Sequence, residues 1–422
     1  MSSEAGTLEE RPVRGGDLEG PHRQTKSRFV IISGNEQGHA EVLVVVVRVG
    51  GPALRAPSAI PEAASDEAAL SYPGSRRWLS PSTKGAQPME TNETMVVSGI
   101  KPTGQVHLGN YLGMIRPTLA LAARHEAYVF VADGHAMTTV DDPADLARQT
   151  RELTAGLIAL GLDPERTVLY RQSDVQEVFE LAWMIACTTP KGALNRAHAY
   201  KAAVEANSEA GRAPDDGVSA GLFTYPVLMA ADILALGATA VPVGADQAQH
   251  LEITRDLALA FNRDYDRVFA VPEAVVDPDV GVVPGTDGRK MSKSYDNVIP
   301  VFATQRELTS LVRGIRTDSR PPEEPKDPAT CHLFGLYRHL AEPAAVAGMA
   351  DRYRRGGVGY GEVKELLVEA LDSTFRPARA RYCDLLDDAP RLGRILASGA
   401  ERARTRVAAL LGAAKRARGL AA

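Results

Sequence analysis

From residue 95 onward, short apolar runs alternate with amphipathic stretches of helical spacing. Residues 95–100 form an apolar run that breaks into Lys101-Pro102-Thr103-Gly104, and residues 109–125 then carry apolar positions at helical intervals. Residues 127–132 are continuously apolar, as suits a strand buried on both faces of a parallel sheet. Residues 167–171, 238–243 and 268–271 read as later strands. Asp142-Pro143 supplies an N-cap and a first-turn proline for a helix ending at Leu160, and residues 175–187 read as another helix. Alternating strand and helix predict an α/β fold, a doubly wound parallel sheet of Rossmann type over residues 94–302. Past Ala303 convincing strands stop. Residues 307–313, 331–341, 360–373 and 401–417 keep helical spacing, which argues for a separate α-helical C-terminal domain over residues 303–422.

Residues 1–93 break the pattern. They are rich in Gly, Pro, Ser, Arg and Glu, with one apolar patch at 42–49, and predict a low-complexity, disordered extension. A second reading is that translation starts at Met89 or Met95, and on both readings the segment is expected to take no part in catalysis. The apolar run at 42–47 is far too short to span a bilayer, and the N-terminus lacks the apolar core of a signal peptide. A cytoplasmic protein is expected.

Composition adds little beyond ordinary globular character: 44% hydrophobic, 24% charged, and a net charge of −5 that advertises no nucleic-acid partner. A basic face would have to be local. Cys187, Cys331 and Cys383 are scattered without zinc-ligand or redox spacing. They read as small buried hydrophobes in a reducing cytosol.

The chemistry concentrates in two segments. S98-G-I-K-P-T-G-Q-V-H-L-G-N110 runs off the first strand into the first helix, where a doubly wound sheet binds ligands and helix N-termini attract anions. Gly99 and Gly104 let backbone approach a ligand, Gly109 leaves room for an adenine ring, and His107 and Asn110 can donate to phosphate oxygens. G285-T-D-G-R-K-M-S-K-S-Y-D296 places Lys290 and Lys293 in one glycine-flanked loop, with Ser292 and Ser294 as extra donors. Two ammonium groups on such a loop suit the charge growing on a departing pyrophosphate.

H-L-G-N and K-M-S-K-S together resemble the two signatures of class I aminoacyl-tRNA synthetases. Asn110 at the last position of the first signature is as in the tryptophanyl branch. T224-Y-P-V-L-M-A-A-D-I-L-A235 and V241-P-V-G-A-D-Q-A-Q-H-L-E-I-T-R-D256 are similar to tryptophanyl-tRNA synthetases of bacterial type, and the resemblance covers residues 95 to 420. It implies that the protein activates L-tryptophan with ATP and Mg²⁺, releases pyrophosphate, and transfers tryptophan to tRNA(Trp). Position by position, it makes Asp232 the acceptor of the indole N–H, with Met229, Val241 and Val243 lining the ring pocket. Val97, Gly99 and His135 belong to the same substrate site. Tyr225 and Gln247 hold the ammonium and carboxylate end. The nucleotide site takes Lys101, Thr103, Gly104, His107, Gly109 and Asn110 from the first segment, and Lys201, Gly244, Asp246 and Gln247 from the middle of the chain. Lys290, Met291, Ser292, Lys293 and Ser294 complete it. His107, Asn110, Lys290 and Lys293 carry the catalytic phosphate contacts, with no general base and no protein metal site.

A buried carboxylate left unpaired in an apolar slot would be costly, which rejects phenylalanine. Three positions depart from the family pattern: Lys101 stands where Gln is frequent, Ala203 where a second ATP-loop lysine stands, and Ala245 where Glu is common. The resemblance also implies a homodimer and a helical domain that reads the anticodon. The basic helix at 401–418, with Val407, Leu410, Leu411 and Ala414 on one face and Arg402, Arg406, Lys415 and Arg418 largely elsewhere, is a candidate RNA contact or equally a solvated face. Alternatives are tyrosyl-tRNA synthetase, an idle synthetase paralogue kept for RNA binding or regulation, and a generic nucleotidyltransferase of the same superfamily.

Overall fold

The protein is described by a computed structural model, covering residues 94–243, 248–275 and 282–420. These all fall in one compact unit, Gln87–Ala422. The extension expected to be disordered lies outside the described residues.

Five parallel strands form the sheet: β1 Met95–Ile100, β2 Glu126–Val131, β3 Val168–Arg171, β4 Ala240–Pro242 and β5 Glu273–Val275, in the order β3-β2-β1-β4-β5. The strand order reverses between β1 and β4, so a crevice opens beyond their carboxyl ends. Side chains alternate between the two faces. Val97, Tyr128, Phe130 and Tyr170 join one core, and Val129, Val131 and Leu169 join the other. The fifth strand lies downstream of the run at 268–271 that was expected to form it. Asn262 captures the backbone N–H groups of Val268 and Phe269 at 3.0 and 2.9 Å, and the Phe269 ring is buried, so that segment is an anchored loop.

Helices cover both faces. The first connection runs through α1 Leu108–Asn110, a π-helical turn at Tyr111–Ile115, and α2 Arg116–Ala122. Pro117 explains the π turn: it has no N–H to offer Gly113, and the Arg116 N–H bonds Tyr111 O five residues back. After β2 come α3 Asp133–Ala136 and α4 Pro143–Ala159, the latter capped by Asp142 as the sequence predicts. A 3₁₀ turn at Gln172–Asp174 follows β3, then α5 Gln176–Ala186, α6 Lys191–Leu194, α7 His198–Glu209 and α8 Ala220–Leu234; α9 Ala248–Asp264 links β4 to β5.

The chain after β5 is helical: α10 Gln305–Arg313, α11 His332–Tyr337, α12 Pro343–Arg355, α13 Tyr360–Asp387 and α14 Ala389–Ala417. These helices do not stand apart as a separate body. Leu308, Leu333, Leu371 and Phe375 share one hydrophobic core with Val129, Val131 and Leu157 of the sheet region. Helix α14 straddles the β3 edge, with Leu396 in one core and Ala400, Ala403, Val407 and Leu411 in the other. At Gly399 a Cβ would overlap the Leu169 carbonyl, so only glycine permits this approach. Among the described residues no helix is long and apolar enough to cross a membrane. Cys187 and Cys383 are exposed and Cys331 half-buried, which corrects the expectation of buried thiols.

Candidate active site

Two distant segments meet above the carboxyl end of β1. Leu108 N donates to Ile299 O at 2.8 Å and Val301 N to Val106 O at 3.0 Å, so the strand-like exit of the lysine loop pairs with the entry to α1. His107 caps α1: its Nδ1 accepts from Asn110 N, and Asn110 Oδ1 accepts from His107 N, both at 3.3 Å. That reciprocal cap fixes both side chains. With Nδ1 accepting, the imidazole proton sits on Nε2, and Asn110 keeps its amide N–H groups for a ligand. Burial pulls the His107 pKa down to about 4, helped by the Lys293 charge, so the ring is neutral at pH 7.

The lysine loop is docked on this turn. Lys293 Nζ donates to Thr103 O at 2.6 Å, and its stem lies over Gly104, whose φ of 91° demands glycine. Burial lowers the Lys293 pKa to about 8. Gly109 N points at Met291 Sδ, 3.2 Å away, so that amide contacts the loop rather than an open surface. Asn297, 2% exposed, staples the loop at its base. It donates to Asp287 Oδ1 at 2.7 Å and Lys290 O at 3.0 Å, and accepts from Ser292 N at 2.8 Å. Ser292 and Ser294 hydroxyls bond each other at 2.8 Å.

A cleft of about 440 Å³ runs from this turn down between β1 and β4, within the range of small-molecule sites. At its upper end it is lined by Lys101, Thr103, His107, Gly109, Asn110, Lys290 and Met291. Lys101 Nζ reaches Thr138 Oγ1 at 3.3 Å, and burial lowers its pKa. The lower end is an apolar slot built from Val97, Gly99, Phe130, Met229, Val241 and Val243, with His135, Tyr225 and Asp232 as its polar groups. Gly99 is needed here for packing, because a Cβ would overlap the Phe130 ring. Lys201 is exposed on α7 and does not line the cleft. Gly244, Asp246 and Gln247 lie outside the described residues.

Asp232 is 1% exposed on α8. Burial raises its pKa, while hydrogen bonds from His135 and Gln172 oppose that rise. His135 Nε2 lies 2.9 Å from Asp232 Oδ2, and Gln172 Nε2 donates to both carboxylate oxygens at 2.9 and 2.8 Å. Gln172 went unnoticed in the sequence, since a lone glutamine after a strand carries no pattern. Tyr225 is held on the opposite side by a short hydrogen bond to His250 Nε2, another contact that residue spacing does not announce.

A doubly wound sheet with an apolar slot and a capped, donor-rich turn at its switch point is a nucleotide-binding α/β architecture of Rossmann type. Residues 89–376 match the family model described as tRNA synthetases class I (W and Y). Tryptophan–tRNA ligase of Pseudomonas aeruginosa is 48% identical over 316 residues, 74% of this chain and 70% of that one. That of Rhodopirellula baltica is 47% identical over 326 residues, 77% of this chain and 99% of its own. The crystal structure of Campylobacter jejuni tryptophanyl-tRNA synthetase, complexed with ADP and tryptophan, superposes with a TM-score of 0.69 at 39% identity, covering 78% of this chain and all of that one. The chain belongs to the class I tRNA synthetases of the W and Y family.

Proposed function

We propose that the protein is an ATP-dependent tryptophan–tRNA ligase. The observation that carries this reading is the buried carboxylate of Asp232 at the end of an apolar slot, directly below the two phosphate-facing motifs. Phenylalanine would fill the slot but leave the carboxylate's remaining acceptor position unsatisfied, whereas an indole N–H fills it.

The tryptophan carboxylate attacks the α-phosphorus of ATP and pyrophosphate departs; the terminal hydroxyl of tRNA(Trp) then attacks the carbonyl carbon of the adenylate, forming the ester and releasing AMP. No side chain is needed as a nucleophile, and the work of the chain is positioning and charge stabilisation. His107 Nε2–H and the Asn110 amide face the phosphates as neutral donors, with Lys290 and Lys293 supplying positive charge from the loop. Thr103, Gly104 and Gly109 shape the turn, and Ser292, Ser294 and Met291 set the lysine loop against it. Tyr225 and Gln247 hold the amino-acid end, and Gly244 and Asp246 serve the nucleotide. Mg²⁺ would enter bound to the ATP phosphates and offset their negative charge. As the family resemblance implies, the protein would work as a homodimer in the cytoplasm.

ATP–pyrophosphate exchange with each of the twenty amino acids tests the proposal. Exchange with tryptophan alone, severely cut in Asp232→Ala and Lys293→Ala, is the expected result. Exchange with tyrosine would identify the sister enzyme, and no exchange with any amino acid would leave an idle paralogue.

A further inference from the structure

Behind the slot lies a brace made of residues that the cleft itself does not expose. Gln172, fully buried, sits on the 3₁₀ turn after β3 and does not line the cleft. Its Oε1 accepts from His135 N at 3.2 Å. A backbone N–H can only donate, so the oxygen must face it and the amide NH₂ must face Asp232. The orientation of the side chain is therefore fixed by the backbone. Gly134 makes the seat possible, since a Cβ there would come 2.9 Å from Gln172 Oε1. The same two turns are locked by a second carboxylate: Asp133 accepts from Ser173 N at 2.9 Å and from Ser173 Oγ at 2.5 Å. The turn after β2, bearing His135, and the turn after β3, bearing Gln172, thus dock as one unit beneath Asp232.

The bonding arithmetic gives this unit a purpose. An ionised carboxylate offers about four acceptor positions. Gln172 and His135 occupy three: Oδ2 carries two bonds and Oδ1 one. The remaining capacity lies mainly on Oδ1. We propose that Gln172 is the positioning residue for tryptophan selectivity, bracing Asp232 from outside the cleft so that one carboxylate acceptor stays charged, fixed in angle and open to the indole N–H. The inference rests on the tryptophan reading above and concerns the same site.

The test uses full-length protein and two substrates, tryptophan and its analogue in which sulfur replaces the ring N–H (3-benzothienylalanine), in ATP–pyrophosphate exchange. Gln172→Leu is expected to lower kcat/KM for tryptophan about 10- to 100-fold, the range for a hydrogen bond to a charged group. The analogue makes no use of the carboxylate acceptor and changes little, so the selectivity ratio narrows by the same factor and KM for ATP is unmoved. A merely structural role would lower both substrates together and leave the ratio intact, which overturns the proposal.

Gln172→Glu keeps the shape and decides the matter if the leucine variant does not fold. Two carboxyls in contact share one proton at low pH and repel once both ionise. Asp133 and His135 from α3, Tyr170 from β3, and the Tyr225–His250 pair from α8 and α9 complete the titratable surroundings. Only the new carboxyl is added to them. Tryptophan use by Gln172→Glu should therefore fall as pH rises from 5 to 7, below the Lys293 limb, where wild type stays level, and parallel profiles over that window would overturn the proposal. Absence of tryptophan exchange by wild type would instead remove the functional reading and this inference with it.

Discussion

Lys293 and His107 titrate on opposite sides of neutrality although they share one turn. Burial holds the lysine near 8 and the histidine near 4. In the free enzyme the ammonium is present below about pH 8 and lost above it, so kcat/KM for ATP should fall through an alkaline limb near that pH. Lys293→Arg, charged throughout, should flatten the limb; a limb of unchanged position in that variant would assign it elsewhere. His107 should contribute no acid limb between pH 6 and 8, because it is already neutral there. The two motifs and Asp232 were legible in the sequence because their residue types and spacings are specific. Gln172, Asn297 and His250 were not, since each acts through a contact between segments 5 to 60 positions apart. Lys201 shows the converse: a matching position that the fold leaves exposed, away from the cleft.

Elements were most readable where one local rule sufficed. The Asp142 cap and the β1 run fall where the pattern puts them. Helix α13 runs past the 360–373 stretch read from the sequence to Asp387, although it carries Pro377, a residue that disfavours helix interiors. Asp372 spans the break by pairing with Arg376 and, at 3.0 Å, with Arg379, and the buried face from Val363 to Phe375 anchors it. Tertiary contacts overrode the local rule there. The lysine loop is a subtler element, irregular in backbone but pinned by Asn297 and closed by Asp296 in the left-handed region at φ 50°. Asn297→Ala should leave Asp287, Lys290 O and Ser292 N without their buried partner, costing about 1–3 kcal/mol. Loop disorder should show as faster proteolysis after Arg289 or Lys290 and a raised KM for ATP. Unchanged cleavage and KM would mean that the loop is held by its Lys293 contact instead.

At the scale of the whole molecule, the last helix packs its basic residues largely against this chain. The sequence left them open as an RNA contact or a solvated face. Arg404 donates to Asp174 O at 2.6 Å, Arg406 to Leu236 O at 2.7 Å, and Arg418 to Tyr265 Oη at 2.7 Å, while Lys415 pairs with Glu180 at 2.5 Å. An edge strand presents unpaired backbone groups and apolar side chains that need cover, and α14 supplies it for β3. The carboxyl end of β3 leads straight into the Gln172 turn, so the cover also holds the floor of the amino-acid site. Amphipathic spacing alone could not separate a helix facing RNA from one facing its own sheet. The distinction is testable without tRNA. Gly399→Ala drives a methyl into the Leu169 carbonyl and should destabilise the protein by about 3 kcal/mol, the upper range for overpacking. Removing residues 388–422 should abolish tryptophan-dependent pyrophosphate exchange along with cooperative thermal unfolding. A detachable anticodon module would give the opposite result, with exchange preserved and only transfer to tRNA lost, because adenylate formation needs nothing beyond an intact cleft.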